Sequence, residues 1–174
     1  MTPNTFLSRQ PLSAVLLGLA VLLFAGCGPK AVTPLQRKQA ASLVSEANFA
    51  VTLRDFPRAE GLLSQAVGIC PDTPEYWMTL GTVRRKLDNR SGAKTAYEQA
   101  LKAARASAKR MPENSQPLLQ QIYVLALLGQ GDDARATLEK ARREHPSDRA
   151  LRLFAEGNEL DRMLADPTFK ELAL

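Results

Sequence analysis

The chain has 174 residues, of which 45% are hydrophobic and 24% are charged. This is enough apolar material for one folded domain, so a chain that is disordered throughout is excluded. The formal net charge is +5, and lysine and arginine are interspersed with aspartate and glutamate along the whole length. Because the sequence lacks the clustered basic residues of a nucleic-acid-binding protein, we expect no nucleic-acid partner.

Residues 1–26 have the layout of a secretory signal peptide. Residues 1–11 carry Arg9 and no acidic side chain, and residues 12–24 form an uncharged apolar run. As a helix that run would span about 20 Å, whereas the hydrocarbon core of a bilayer is about 30 Å thick, so a membrane-spanning helix fits poorly. The alternative interpretation is an uncleaved amino-terminal helix that ends in an incidental cysteine.

The apolar run ends in the stretch FAGC, which closes at Cys27. This stretch resembles the bacterial lipobox, in which a leucine commonly stands where this chain has phenylalanine. The resemblance implies that residues 1–26 are removed and that Cys27 carries a diacylglycerol together with an amide-linked acyl chain such as palmitate. Anchoring by more than one acyl chain holds a protein stably on a bilayer. The resemblance therefore predicts a lipoprotein of the bacterial cell envelope.

Residues 27–34 form the lipidated cysteine and a short tether with two prolines. Gly28 stands where lipoproteins retained in the inner membrane often have aspartate, which favours the outer membrane with the protein facing the periplasm. Seven extended residues reach at most about 25 Å, so we expect the folded part to lie near the membrane surface. If Cys27 is a thioether, Cys70 has no intramolecular disulfide partner. We predict that Cys70 is a small buried residue and not a catalytic one.

The remaining sequence repeats itself at a spacing of about 34 residues. The residues Trp77, Leu80 and Gly81, followed by two alanines seven residues apart in the next helix, resemble the tetratricopeptide repeat (TPR). The segment departs from that pattern at Arg84, where a tyrosine is usual, and at Arg105, where the closing proline is usual. The alanine pairs occur three times, as Ala59 and Ala66, Ala93 and Ala100, and Ala134 and Ala141.

The second and third alanine pairs lie 41 residues apart, seven more than the repeat length, counted from Ala93 to Ala134. Ala104, Ala108 and Met111 continue the apolar spacing, so we predict that the second helix of the middle repeat runs on for two extra turns. Helix starts are expected at four capping residues, which are Asp55, Thr73, Asp132 and Ser147.

The resemblance implies an all-α fold, a short right-handed α-solenoid of about three TPR helix pairs within residues 35–174. We place the repeats at about 40–73, 74–107 and 115–148, with a C-terminal capping helix in residues 149–174. Small residues, Ala47 and Gly81 among them, are expected where helices cross closely. The capping helix is expected to lie over the last repeat, and a final turn should start at Asp166-Pro167, with Phe169 and Leu172 able to fold back.

Tetratricopeptide arrays bind peptides or protein surfaces in a concave groove, and the first helix of each repeat would line it. We predict a groove that is mostly apolar, with two cations at its middle and an acidic, apolar peptide as the partner. Its predicted residues are Val44, Asn48, Met78, Thr82, Arg85, Lys86, Leu119 and Tyr123. The alternative is that a short array closes on itself and the capping helix fills the groove.

No residues suggest catalysis, since the sequence shows neither a nucleophile motif nor a phosphate-binding loop nor metal-ligand spacing. The single histidine, His145, stands at a predicted helix end, and Trp77 is expected to be a core residue. We therefore expect no enzyme, no cofactor and no metal. The leading hypothesis is a membrane-anchored TPR lipoprotein that acts as a protein–protein interaction adaptor in envelope-complex or appendage assembly. The alternatives are an envelope or peptidoglycan structural protein and an accessory subunit of an envelope enzyme.

Overall fold

A computed structural model describes residues 31–174, and this part of the chain is all-α, with nine helices and no strand. The predicted signal peptide, Cys27 and the first residues of the tether lie outside the described residues. The helices are α1 Pro34–Thr52, α2 Phe56–Ile69, α3 Pro74–Lys86, α4 Arg90–Arg110, α5 Gln116–Leu127, α6 Gly131–Glu144, α7 Arg149–Glu156, α8 Glu159–Ala165 and α9 Pro167–Leu172. Pro34, assigned above to the tether, is the first residue of α1.

The first six helices pack in chain order, each against the helix before it and the helix after it. Three to five residues connect consecutive helices in this part, which favours side-by-side pairing of neighbours. Two later helices also make contacts that skip along the chain, since α8 contacts α6 and α9 returns to contact α3. This return positions the C-terminal residues at the candidate site described below.

The turns within the three helix pairs share one backbone geometry. The residue two positions after α1, α3 and α5 has a positive φ, at Arg54 (59°), Asp88 (56°) and Gly129 (73°). Each turn has the same three backbone hydrogen bonds to the closing turn of its helix. The connections between pairs are also alike, since the residue directly after α2, α4 and α6 has a φ between −124° and −130°. The same turn geometry therefore recurs along the chain together with the alanine pairs.

Alanines occupy fully buried positions on the packed faces of the helices. All six alanines of the predicted pairs are fully buried, and so is Ala47 of α1. A larger side chain at these positions would separate the helix axes, since interiors are packed at close to crystal density. The predicted burial of these small residues between the helices is confirmed.

The longest helix is α4, with 21 residues against 14 in α2. The seven additional residues are two turns, as predicted, and Ala104 in this extension is fully buried. The prediction for Met111 was wrong, because Met111 follows the helix end and is 45% exposed. Pro112 stands two residues after that end, just as Pro71 and Pro146 stand two residues after the ends of α2 and α6. The closing proline, expected near Arg105, is therefore present, displaced by the two extra turns.

Two of the four predicted caps are confirmed. The Asp55 carboxylate accepts a hydrogen bond from Arg58 N at the start of α2, and Thr73 is the residue before α3, although its side chain makes no capping bond.

The other two predicted caps, Asp132 and Ser147, were wrong. Helix α6 begins two residues earlier than a cap at Asp132 predicts, at Gly131, with Asp132 in its first turn. The cap of α7 is Asp148 and not Ser147, because the Asp148 carboxylate accepts from both Leu151 N (2.9 Å) and the Ser115 hydroxyl (2.6 Å).

The predicted capping helix is divided into α7, α8 and α9. The first break is at Gly157 and Asn158, and Asn158 adopts a left-handed conformation with φ of 51°. Asparagine tolerates this conformation better than most residues, so the helix ends there without large strain. The second break is at Asp166, whose carboxylate caps α9 by accepting from Thr168 N at 2.6 Å. The predicted turn at Asp166-Pro167 is confirmed.

Cys70 and Trp77, both predicted to be core residues, differ in how far they are buried. Cys70 is 1% exposed and packs with Ala40 and Ala66, so its predicted burial is confirmed. Trp77 is partly buried between the two larger hydrophobic clusters, and its indole N–H donates to the Pro71 carbonyl at 2.9 Å. Trp77 therefore joins the clusters with its polar edge satisfied.

Candidate binding groove

The predicted groove residues lie on α1, α3 and α5, the first helices of the three pairs. On α3, Met78, Thr82 and Arg85 follow one another at helical spacing, so they share one face. All three are half-buried, whereas Lys86 beside them is exposed. On α5, Leu119 is half-buried and Tyr123 is 39% exposed. We refer to this surface of α3 and α5 as the groove strip.

The two predicted residues on α1 have other surroundings. Val44 is half-buried and packs against clusters that α1 forms with α2 and α3, while Asn48 is exposed. The groove strip therefore contains six of the eight predicted residues, which are those on α3 and α5.

The C-terminal residues cover one end of the groove strip with backbone hydrogen bonds. The Tyr97 hydroxyl donates to the Leu172 carbonyl at 2.9 Å. The backbone N–H of Leu174 donates to the Leu127 carbonyl at 3.0 Å. A carbonyl near the C-terminal end of α5 has no partner within its helix, so Leu174 satisfies a group that would otherwise need water.

Two side chains of α9 complete this contact. The ring of Phe169 meets Tyr123 edge to face, with ring centroids 5.7 Å apart and an interplanar angle of 77°. Such T-shaped aromatic pairs are favourable beyond the area they bury. Glu171 forms an ion pair with Lys86 at 3.1 Å. The predicted folding back of Phe169 and Leu172 is confirmed, because Phe169 is 8% exposed and Leu172 packs against the largest cluster.

Tyr97 belongs to this site but was not among the predicted groove residues. It lies on α4, outside the helices expected to line the groove, and its side chain is fully buried. Burial raises the pKa of Tyr97, and a hydrogen bond from Thr82 and the positive charge of Arg85 oppose that rise. Tyr97 is therefore a neutral hydrogen-bond donor beneath the strip. Its signal in the sequence was the aromatic position between the alanines of its repeat.

Arg85 carries a buried group that no hydrogen bond satisfies. Its Nε atom is buried and has no acceptor among residues 31–174. A buried unpaired donor costs roughly 1–3 kcal/mol. The Nε–H group of Arg85 is thus a hydrogen-bond donor without an acceptor. Arg85 is the neighbour in sequence of Lys86, which pairs with Glu171.

The opposite end of the groove strip opens into a cleft of about 450 Å³, lined mainly by polar and charged residues, among them Glu75 of α3 and Gln116 of α5. Asp72 in this cleft forms an ion pair with Arg37 at 2.7 Å and lies 3.9 Å from Arg110. The hydrogen bond from Arg37 lowers the pKa of Asp72, so this carboxylate is ionised at neutral pH. The strip therefore has one end covered by the chain itself and one open, polar end.

Residues 31–174 contain no group of three or more His, Cys, Asp or Glu side chains that could hold a metal ion. Within the same residues, no helix combines the length and apolar character needed to cross a bilayer.

No protein-family model matches the chain, and no curated protein is significantly similar to it in sequence. The resemblances to lipoproteins and to tetratricopeptide repeats therefore stay predictions from the residues.

Proposed function

We propose that this protein is a lipid-anchored tetratricopeptide-type adaptor of the bacterial envelope that holds a protein partner in a complex. The observation that carries the proposal is the groove strip, an apolar surface with two cations on the first helices of two successive helix pairs. Apolar and aromatic anchors of this kind dominate the energetics of protein–protein contacts. The absence of catalytic motifs in the sequence favours binding over chemistry.

The repeated turns support the tetratricopeptide assignment. The left-handed residues of the first two pairs, Arg54 and Asp88, are 34 residues apart, and the next, Gly129, follows after 41. The same two spacings separate the buried alanines, and the longer one coincides with the two extra turns of α4. A repeat architecture explains why backbone turns and close-contact residues share one period, since each repeat is one structural unit.

The lipid anchor would fix where the groove works. Because α1 begins at Pro34, six residues, 28–33, lie between Cys27 and the start of the helical part. A tether of this length holds the domain within about 25 Å of the lipid surface. An adaptor held so close to a membrane would bind partners that are themselves in or near the envelope.

The chemistry of the strip selects the class of partner. Arg85 and Lys86 favour an acidic segment, while Met78, Leu119 and Tyr123 favour apolar side chains. We therefore propose a peptide or protein surface that combines both, docked as a helix or an extended segment.

A pull-down from native membranes with the lipid anchor intact tests the proposal. One stoichiometric protein partner would support it. Peptidoglycan that co-sediments without such a partner would favour the structural alternative, and a co-purifying enzyme activity would favour the accessory-subunit alternative.

Variants of the groove strip then locate the partner. Arg85→Glu and Tyr123→Ala should each weaken binding, whereas the matched surface changes Arg143→Glu on α6 and Leu153→Ala on α7 should leave it unchanged. Arg143 and Leu153 are both exposed and lie outside the strip. Full binding by both strip variants would contradict binding of the partner at the groove strip. It would place the partner on the opposite surface or on residues 102–110 of α4.

A further inference from the structure

We infer that residues 166–174, here called the C-terminal segment, are an internal ligand of the groove strip that an external partner must displace. The inference rests on the proposed function for the existence of that partner. It adds the partner's chemistry, which is an aromatic residue followed two positions later by an acid and three positions later by leucine. In this chain these are Phe169, Glu171 and Leu172.

The contacts of the C-terminal segment are those of a bound peptide. Phe169 and Leu172 lie one turn apart and pack on the protein, whereas Glu171 between them pairs with Lys86 of the strip. The main chain is held at two points, by the Tyr97 hydroxyl and by the Leu127 carbonyl. Side-chain anchors on one face combined with main-chain hydrogen bonds are how helical and extended peptides are recognised.

The segment is also held weakly enough to be exchanged. Helix α9 has six residues, and Phe169 is its only buried residue. A helix of that length is unstable alone and depends on docking. The ion pair between Lys86 and Glu171 is solvent-exposed on both sides and therefore screened. Terminal segments with few buried contacts open locally at much lower cost than the whole protein.

Competition for one site gives the segment a regulatory effect. Because Tyr123, Lys86 and Tyr97 already have partners in the segment, an external peptide gains these contacts only after the segment leaves. The apparent affinity for that peptide is reduced in proportion to the fraction of molecules with an open strip. A variant with a loosened segment should therefore bind the same peptide more tightly.

The test uses a fluorescent peptide with the sequence of residues 165–174 and the full chain reconstituted in lipid nanodiscs. Fluorescence anisotropy should show the peptide binding to the Phe169→Ala protein about 10-fold or more tightly than to the wild type. A control peptide carrying Phe169→Ala should bind neither protein, and empty nanodiscs measure binding to lipid. Equal affinity for both proteins, or no binding to a folded Phe169→Ala protein, would overturn the inference.

A second variant keeps the test decisive if Phe169→Ala impairs folding. Glu171→Lys loosens the segment through an exposed side chain and should also increase binding of the wild-type peptide. Conversely, Lys86→Glu combined with Phe169→Ala should bind the wild-type peptide more weakly than Phe169→Ala alone, and a peptide carrying Glu171→Lys should restore binding. No restoration by the charge-reversed peptide would place the peptide elsewhere.

These measurements need no natural partner, so they succeed or fail independently of the pull-down. Once a partner is isolated, Phe169→Ala should bind it more tightly than the wild type. Equal binding would reject the competing segment while leaving the adaptor function in place.

Discussion

Gly81 on α3 leaves the space that the ring of Tyr97 on α4 occupies. A Cβ built on Gly81 would come within 2.9 Å of the Tyr97 Cζ and closer still to Cε1 and Cδ1. The missing side chain therefore lets α3 and α4 approach closely and lets the Tyr97 hydroxyl reach the Leu172 carbonyl. The helix crossing and the docking of the C-terminal segment thus depend on one glycine.

Gly81→Ala should destabilise the protein by about 1–3 kcal/mol, because the Tyr97 ring must move to admit the methyl group. The matched control is Gly61→Ala on α2, where an added Cβ would meet no atom within 4 Å. The control should instead be neutral or stabilise by up to about 1 kcal/mol, since alanine is the better helix former. Thermal unfolding followed by circular dichroism measures both, and equal melting temperatures would contradict the close contact.

Cys70 should react with thiol reagents only after the protein unfolds. Its side chain is 1% exposed, and burial raises the pKa of the thiol, so little nucleophilic thiolate is available. Ellman's reagent applied to the chain from Gly28 onwards, with and without denaturant, measures the rate. The Cys70→Ala variant, which has no thiol in this part of the chain, provides the blank, and fast reaction of the native protein would disprove the burial.

The ion pair of Asp72 with Arg37 should make the free energy of unfolding depend on pH in the acidic range. Because the hydrogen bond from Arg37 lowers the pKa of Asp72 below its ordinary 3.8, the pair stabilises the protein above that pH. The contribution is lost as the pH falls through the lower folded value. Asp72→Asn should cost about 1 kcal/mol or less at pH 7, given solvent screening, and should flatten the decline below about pH 4.

Denaturant unfolding at a series of pH values measures this difference. The control is Asp133→Asn on α6, an exposed position with no ion pair among residues 31–174. If Asp72→Asn and Asp133→Asn have the same pH dependence, the interaction with Arg37 does not contribute.

Cys27 should carry the lipid anchor, and the protein should lose membrane attachment without it. Metabolic labelling with a fatty-acid analogue in a bacterial host should mark the wild type and leave Cys27→Ala unlabelled. The Cys70→Ala protein is the control and should be labelled normally, since its cysteine is buried. Intact mass of the purified wild type should also show residues 1–26 removed. Unchanged labelling of Cys27→Ala would reject lipidation at this residue.

Local features of the sequence determined the helices and most of their packing faces. The alanines at Ala59, Ala93 and Ala134 mark buried faces because side chains three or four residues apart share one side of a helix. The two extra turns of α4 followed from the spacing of the same alanines. Asp55 and Asp166 were predictable as caps, since a carboxylate there needs only the N–H groups of the next turn.

Other features depended on contacts between residues far apart in the sequence. Asp148 rather than Ser147 caps α7 in part because it also accepts from Ser115, 33 residues earlier. The docking of the C-terminal segment joins Leu172 to Tyr97 across 75 residues and Glu171 to Lys86 across 85. The apolar spacing of Phe169 and Leu172 shows that the segment must cover something, but any apolar surface would satisfy that pattern. Only the tertiary structure chooses the groove strip, because shape, charge and free hydrogen-bonding groups coincide there after the helices have packed.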